Sequence, residues 1–355
     1  MLPTFTLPQF PTAMDATRAW DGRQVMFKKI PAGIELEIGQ YLSSPGLLHD
    51  SHNHCVPLLE ILELPEAPEQ KLIVMPFLRP FDNPRFQTFG EFVSFFTQIC
   101  DVRLEHHQTG GIGTSDNPSS RVSCSCTNEI LRTGALECYC QRTTSTNPPL
   151  RDCTANNIML DPSGMYPKGF HPVQIDRSRD FRGTAKRFTR TWRPTRYYLI
   201  DFGLSRRYSS RNALDEPLRG GDKTAPEHRL GRLCNPFHTD IYYLGNLIRQ
   251  RFLRVHDTLL LVHHVAYGIL QAYNGFEFMT GLVEEMTNEN PVERPTIEDV
   301  ISRFSRIRKS LGEFKLRSPI MSKKDPGLIT TYRCARQVVR TVGYIVWRKA
   351  AIPYA

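Results

Sequence analysis

Strand-length apolar runs crowd the first quarter of this 355-residue chain, and helical periodicity takes over from about residue 86. Segregation of that kind predicts an α+β fold with the strands gathered at one end, because a parallel βαβ sheet needs the two patterns to alternate. "DATRAWDGRQVMFKKI" (15–30) reads as two short strands around an Asp21-Gly22 turn. "CVPLLEILEL" and "KLIVMPFL" supply two more strand-length runs, separated by a Pro/Glu turn. Between the pairs, "GIELEIGQYLSS" (33–44) sets Ile34, Ile38, Tyr41 and Leu42 on one helical stripe and leaves Glu35 and Glu37 off it.

"FQTFGEFVSFFTQIC" (86–100) predicts an amphipathic helix with Thr88 as N-cap and an aromatic stripe that belongs to the core. The hydrophobic pattern stops after Cys100, and residues 101–150 are rich in Thr, Ser, Gly, Asn and Cys without helical period. The helix is therefore expected to break at Cys100, and 101–150 reads as disordered or as a retained intron. Its "CSC" and "CYC" pairs lack the Cys-x₂₋₄-Cys spacing usual for structural zinc, so no zinc site is assigned. A second polar stretch, 162–196, is basic and carries Tyr166, Phe170, Phe181, Phe188 and Trp192. It is expected to be a solvated loop packing its aromatics on the helical body, in preference to a dock for an acidic substrate or nucleic acid. The strand "YYLIDFGL" follows, then helical patterns from "HTDIYYLGNLIRQRFL" to "TIEDVISRFSRIRKSL". The tail "TTYRCARQVVRTVGYIVWRKAAIPYA" predicts a basic, partly amphipathic helix for which peripheral membrane contact and packing on the body are both open.

The formal net charge of +9 favours anionic partners without choosing among them. Nine cysteines are scattered without a disulfide framework, and the first residues lack the basic flank and apolar stretch of a secretory signal. "TLLLVHHVAYGIL" (258–270) is too short and too interrupted to cross a bilayer. An intracellular location, cytoplasmic or nuclear, with no transmembrane segment is the expectation.

Chemistry-bearing residues recur in a fixed order: Lys28 in "VMFK", Glu35, Asp152 and Asn157 in "RDCTANN", Asp201 in "DFG", and Glu227 in "APE". This order resembles the signature set of eukaryotic protein kinases, and "RPFDNPRFQTFGEF", "NNIMLDPSGMYP" and "RYYLIDFGLSR" are similar to a divergent branch found in mushroom-forming fungi. The resemblance implies a two-lobed protein kinase-like fold, a small β-rich lobe over a larger helical one, with ATP and Mg²⁺ as cosubstrate and metal. It divides the chain into an irregular start (1–13), a truncated N-lobe (14–78), a C-lobe (79–310) interrupted at 101–150 and 162–196, and a basic tail (311–355). By the same resemblance Met75 is the gatekeeper, and Met75, Pro76, Phe77 and Leu78 form the hinge that takes adenine. Asp240 would open the large buried helix of the C-lobe, and Arg294 would pair with Glu227.

Phosphoryl transfer asks for charge neutralisation and positioning more than covalent chemistry. Lys28 would hold the α and β phosphates, with Glu35, or Glu37 in its place, keeping the ammonium aimed. Asp201 and Asn157 would offer hard oxygen ligands to Mg²⁺, and Asp152 would deprotonate the attacking hydroxyl. Three departures stand against full activity. Gly22 is the only glycine in residues 1–27, so no glycine-rich loop precedes Lys28. Leu150 stands where kinases carry histidine, and the separation of Met75 from Asp152 exceeds the family pattern. The resemblance thus implies a protein kinase acting on a protein hydroxyl, serine or threonine ahead of tyrosine, with a pseudokinase or binding module as the alternative. The protein substrate is unassigned, and nucleic acid is not expected as a partner. Ser209, Ser210 and Thr224 are candidate phosphorylation sites.

Overall fold

A computed structural model describes residues 13–108, 153–206, 208, 210–217, 222–253, 273–323 and 325–354. Asp152, Leu150, Ser209, the paired-cysteine motifs and the apolar stretch 258–270 lie outside the described residues. The fold is α+β. Strands β1 (Ala13–Thr17), β2 (Gln24–Pro31), β3 (Glu60–Glu63) and β4 (Gln70–Pro76) form an antiparallel sheet in the order β1-β2-β4-β3. The predicted hairpin is there. Gly22 takes the left-handed φ of 68° that its turn requires, and the Arg18 guanidinium bonds the Asp21 carboxylate across it. β2 runs beyond Lys28 to Pro31, so Lys28 sits inside the strand and not at its end.

Helix α1 (Ile34–Leu42) buries Ile38 and Leu42, while Ile34, its first residue, stays exposed. A short helix α2 (Pro45–Leu48) and an irregular segment lead back to the sheet. A second sheet combines β5 (Arg79–Pro80), β6 (Ile158–Leu160) and β7 (Tyr197–Leu199), all antiparallel.

Helix α3 (Phe89–Gln108) is the centre of the core. Phe92, Phe95, Phe96 and Ile99 are fully buried, and the three phenylalanine rings meet Phe81, Phe252, Phe276 and Phe304 at centroid separations of 4.5–6.4 Å. Thr88 caps it as expected, its hydroxyl accepting from the Glu91 amide at 3.2 Å. The expected break at Cys100 is absent: the helix continues to Gln108. "DVRLEHHQ" has lost the apolar stripe but is made mostly of residues that propagate a helix already nucleated.

Among the described residues the remaining α-helices are α4 (Pro226–Leu230), α5 (Pro236–Ile248), α6 (Thr280–Met286), α7 (Ile297–Ser310), α8 (Glu313–Arg317) and α9 (Gly327–Val346). α5 starts at Pro236, ahead of Asp240, capped by the Asn235 side chain. α9 packs on the body through Gln337 and Tyr344, and the Tyr344 hydroxyl lies 2.8 Å from that of Thr189. Its opposite face shows Leu328, Val339 and Val346 to solvent. No helix among the described residues is long and apolar enough to cross a membrane.

After α9 the chain crosses directly over α3. A Cβ placed on Gly90 would sit 1.8 Å from the carbonyl oxygen of Ala351, and the Ser94 hydroxyl donates to the Pro353 carbonyl. Gly90→Ala is therefore expected to displace the 350–353 segment and lower stability by about 1–3 kcal/mol. Urea denaturation would give the loss, and faster amide exchange confined to that segment would show where it arises; an unchanged variant would mean the crossing relaxes freely.

Candidate functional site

β2, α1 and the residues after β7 each bring one charged group to a common point. Lys28 projects from β2 opposite Ile73, and Met26 lies opposite Met75, so Lys28 and Met75 share one face of the sheet. The Lys28 ammonium donates to Glu35 Oε1 at 2.5 Å and to Asp201 Oδ1 at 3.0 Å, across 173 positions of sequence. Of the two helix glutamates weighed for this pairing, the structure selects Glu35. Lying in the first turn of α1, the carboxylate also faces the positive end of the helix. Burial alone would lower the Lys28 pKa, but the charges and hydrogen bonds of Asp201 and Glu35 outweigh it and hold the pKa above 10.5. The ammonium is thus fixed and permanently charged near neutral pH.

Asp201 is the exposed corner of this trio, its side chain about 50% accessible against 14% for Glu35. It takes a left-handed φ of 65°, which turns the chain sharply out of β7. Gly203 closes the corner: its amide lies 3.3 Å from Asp201 Oδ1, and a Cβ there would meet Glu35 Oε2 at 3.2 Å and Asp201 Oδ1 at 3.3 Å. Asn157 enters through the neighbouring strand, its carbonyl accepting from the Ile200 amide at 2.9 Å, one residue before Asp201. Asn157 and Asp201 thereby flank the same end of the β6–β7 ladder.

Met75, Pro76, Phe77 and Leu78 form the end of β4 and the link to β5. Met75 is buried, the other three are half-buried, and the Phe77 ring meets that of Phe170 from the 162–196 stretch at 5.7 Å. That stretch divides its aromatics: Tyr166 and Phe170 are buried around the Arg79 guanidinium at 4.7 Å, whereas Phe181 and Phe188 stay exposed.

One set of positioning residues has no counterpart in the sequence reading. His54 is buried and its Nδ1 donates to the Tyr197 carbonyl at 3.0 Å. The Leu199 amide bonds the His54 carbonyl at 2.8 Å, and the Val56 amide bonds the Leu199 carbonyl at 2.9 Å. Arg196 donates to the carbonyls of Asp50, Ser51 and Asn53 at 2.9–3.0 Å. The Asn53 amide in turn reaches the carbonyls of Leu42 at 2.8 Å and Leu47 at 2.9 Å. An unbroken set of bonds therefore ties the end of the Glu35 helix to β7, the strand that leads into Asp201.

Away from this corner, Arg294 grips Glu227 through two parallel bonds of 2.5 and 3.0 Å, both residues buried. Thr239 donates to the same carboxylate, while Arg294 also reaches the carbonyls of His238 and Asn288. Burial alone would raise the Glu227 carboxyl, but the Arg294 bonds hold it below the ordinary carboxylate range. Asp240 is buried on α5, beside Thr239 in sequence. The Thr224 hydroxyl is bonded to Asp222 and Asn246, and Ser210 is exposed. Among the described residues no cluster of three or more His, Cys, Asp or Glu groups forms a self-contained metal site. No protein-family model matches the chain, and no curated protein matches it either.

Two expectations follow. Removing Arg294 leaves the Glu227 carboxylate buried and unpaired, so Arg294→Ala should cost about 3–5 kcal/mol in urea denaturation; a loss below about 1 kcal/mol, the value of a surface pair, would show that the pair is not structural. His54 has its pKa lowered from 6.5 to about 4, chiefly by burial and secondly by Arg196. Between those two pH values the unfolded chain takes up a proton that the folded chain refuses. Stability should therefore fall as pH drops through that window, by up to about 3 kcal/mol, and His54→Asn should flatten the dependence.

Proposed function

We propose that the chain is a protein kinase-like phosphotransferase, two-lobed in the manner of that family, passing the γ-phosphoryl group of ATP to a protein hydroxyl. The observation that carries this reading is the Lys28–Glu35–Asp201 trio, with bonds of 2.5 and 3.0 Å joining three elements that lie far apart in sequence. The motif order that resembles kinases requires this meeting of a strand lysine, a helix glutamate and the aspartate of "DFG", and no local propensity demands it. The buried Glu227–Arg294 pair is further support.

In this proposal Lys28, aimed by Glu35, binds the α and β phosphates of ATP as a point charge. Asp201 is half exposed and its carboxylate is an oxygen donor, as is the Asn157 amide; both suit a metal that is otherwise held by phosphates and water. Bound there, Mg²⁺ would supply neutralisation of the phosphate charge. The end of β4 and the Pro76–Leu78 link take the adenine, with Met75 at the back. Asp152 orients the acceptor hydroxyl and takes its proton.

A nucleotide-binding module without turnover is the second reading, favoured by the β1–β2 turn. Its amides are turned inward: the Gly22 amide bonds the Arg18 carbonyl at 2.9 Å, and the Arg23 amide bonds Asp21 Oδ1 at 3.1 Å. A glycine-rich loop would instead direct such groups to the phosphates. Incubating the full-length chain with radiolabelled Mg²⁺-ATP and a generic protein acceptor separates the two. Transfer that falls on the order of 10²-fold or more in Asp201→Asn and Asp152→Asn is expected for the kinase. ATP binding that is weakened by Lys28→Met, without transfer above the Asp152→Asn level, selects the binding module. Absence of nucleotide binding overturns both.

A further inference from the structure

A cavity of about 470 Å³ lies between α9, the loop at 82–87 and the 162–196 stretch, with a floor that includes Ile320. Five arginines line it: Arg85, Arg187, Arg333, Arg336 and Arg340. The carboxylates nearby are already engaged. Asp82 pairs with Arg251 at 3.2 Å and Asp176 with the buried Arg79 at 3.0 Å, while Asp325 is shared by Arg85 and Arg333. Arg340 bonds only the uncharged side chain of Gln87, and Arg187 and Arg336 make no hydrogen bond or ion pair among the described residues. Burial, then the neighbouring Arg336 and Arg187 charges, push the Arg340 pKa below its ordinary value.

Like charges gathered around a concave space raise the folding free energy unless an anion shares the space. Guanidinium forks suit phosphate oxygens, which they take two at a time. A single phosphate would leave most of the forks unused, whereas a ligand with several phosphate groups matches three cations on two different walls that have no ion-pair partner among the described residues. We infer that this cavity is a binding site for a compact, multiply phosphorylated anion, held chiefly by Arg187, Arg336 and Arg340. The ligand chemistry is shared by free polyphosphorylated molecules and by the headgroups of polyphosphorylated lipids. The lipid source has a structural rationale in α9 itself, which lends three arginines to the cavity and shows Leu328, Val339 and Val346 to solvent.

Calorimetric titration of the full-length chain with tripolyphosphate tests the site. Arg187→Gln with Arg336→Gln should weaken binding at least about tenfold, since each removes charged hydrogen bonds to the ligand. Neither guanidinium holds the fold together and their removal relieves like-charge repulsion, so the variant should unfold at or above the thermal midpoint of the parent. Arg306→Gln with Lys309→Gln, which removes the same charge from the exposed side of α7, should leave binding unchanged. Flotation with phosphatidylcholine vesicles, with and without phosphatidylinositol bisphosphate, names the source. Retention that depends on that lipid and is competed by tripolyphosphate assigns a headgroup; tripolyphosphate binding without retention assigns a soluble ligand. A flat titration, or equal loss in the α7 variant, overturns the proposal.

Discussion

The pairing of Leu199 with the His54–Val56 segment is the contact on which the arrangement depends. Two backbone bonds, 2.8 and 2.9 Å long, add that segment to the edge of β7 as a parallel bridge. β7 is held on its other side by β6, so the strand joins the sheet-bearing end of the chain to the helical body. The reach from Lys28 to Asp201 depends on this joint. If β7 slipped by one residue, side chains would change faces and Asp201 would leave the reach of Lys28.

The joint also explains why a costly charge cluster survives. One ammonium shared between two carboxylates carries a net negative charge in a partly buried place, which folding alone would not favour. It persists because the carboxylates are carried by α1, set by Ile38 and Leu42 in the core, and by the turn that follows β7, a strand set by its neighbours. A constellation imposed by its scaffold in this way is preorganised: little has to move for the groups to act on a ligand.

Much of this is legible in the sequence where local patterns and chemistry coincide. The Asp21-Gly22 turn specifies its hairpin because glycine alone takes that φ freely, and the aromatic stripe from Phe89 to Ile99 reads as core because its helical spacing gathers Phe92, Phe95, Phe96 and Ile99 together. Glu35 is identifiable because Ile38 and Leu42, three and seven positions on, define the buried side of α1. The Cys100 boundary misleads for a physical reason: apolar periodicity reports where a helix is packed, not where it stops. His54 gives no local signal at all, since its partner is a backbone carbonyl 143 positions away. The arginine cavity is half legible: the basic character of 162–196 and of the tail is written in the sequence, but their meeting around one space is not.

The crossing of Ala351 over Gly90 carries a consequence for the time course of synthesis. Ser94 is bonded to a carbonyl that lies 259 positions later in the chain. At ordinary elongation rates that separation amounts to roughly 10–50 seconds. Throughout that interval the central helix has one face without its cover. The side of α3 that carries Gly90 and Ser94 must wait for residues 350–353, which arrive after Phe252, Phe276 and Phe304 have supplied the aromatic partners of the helix.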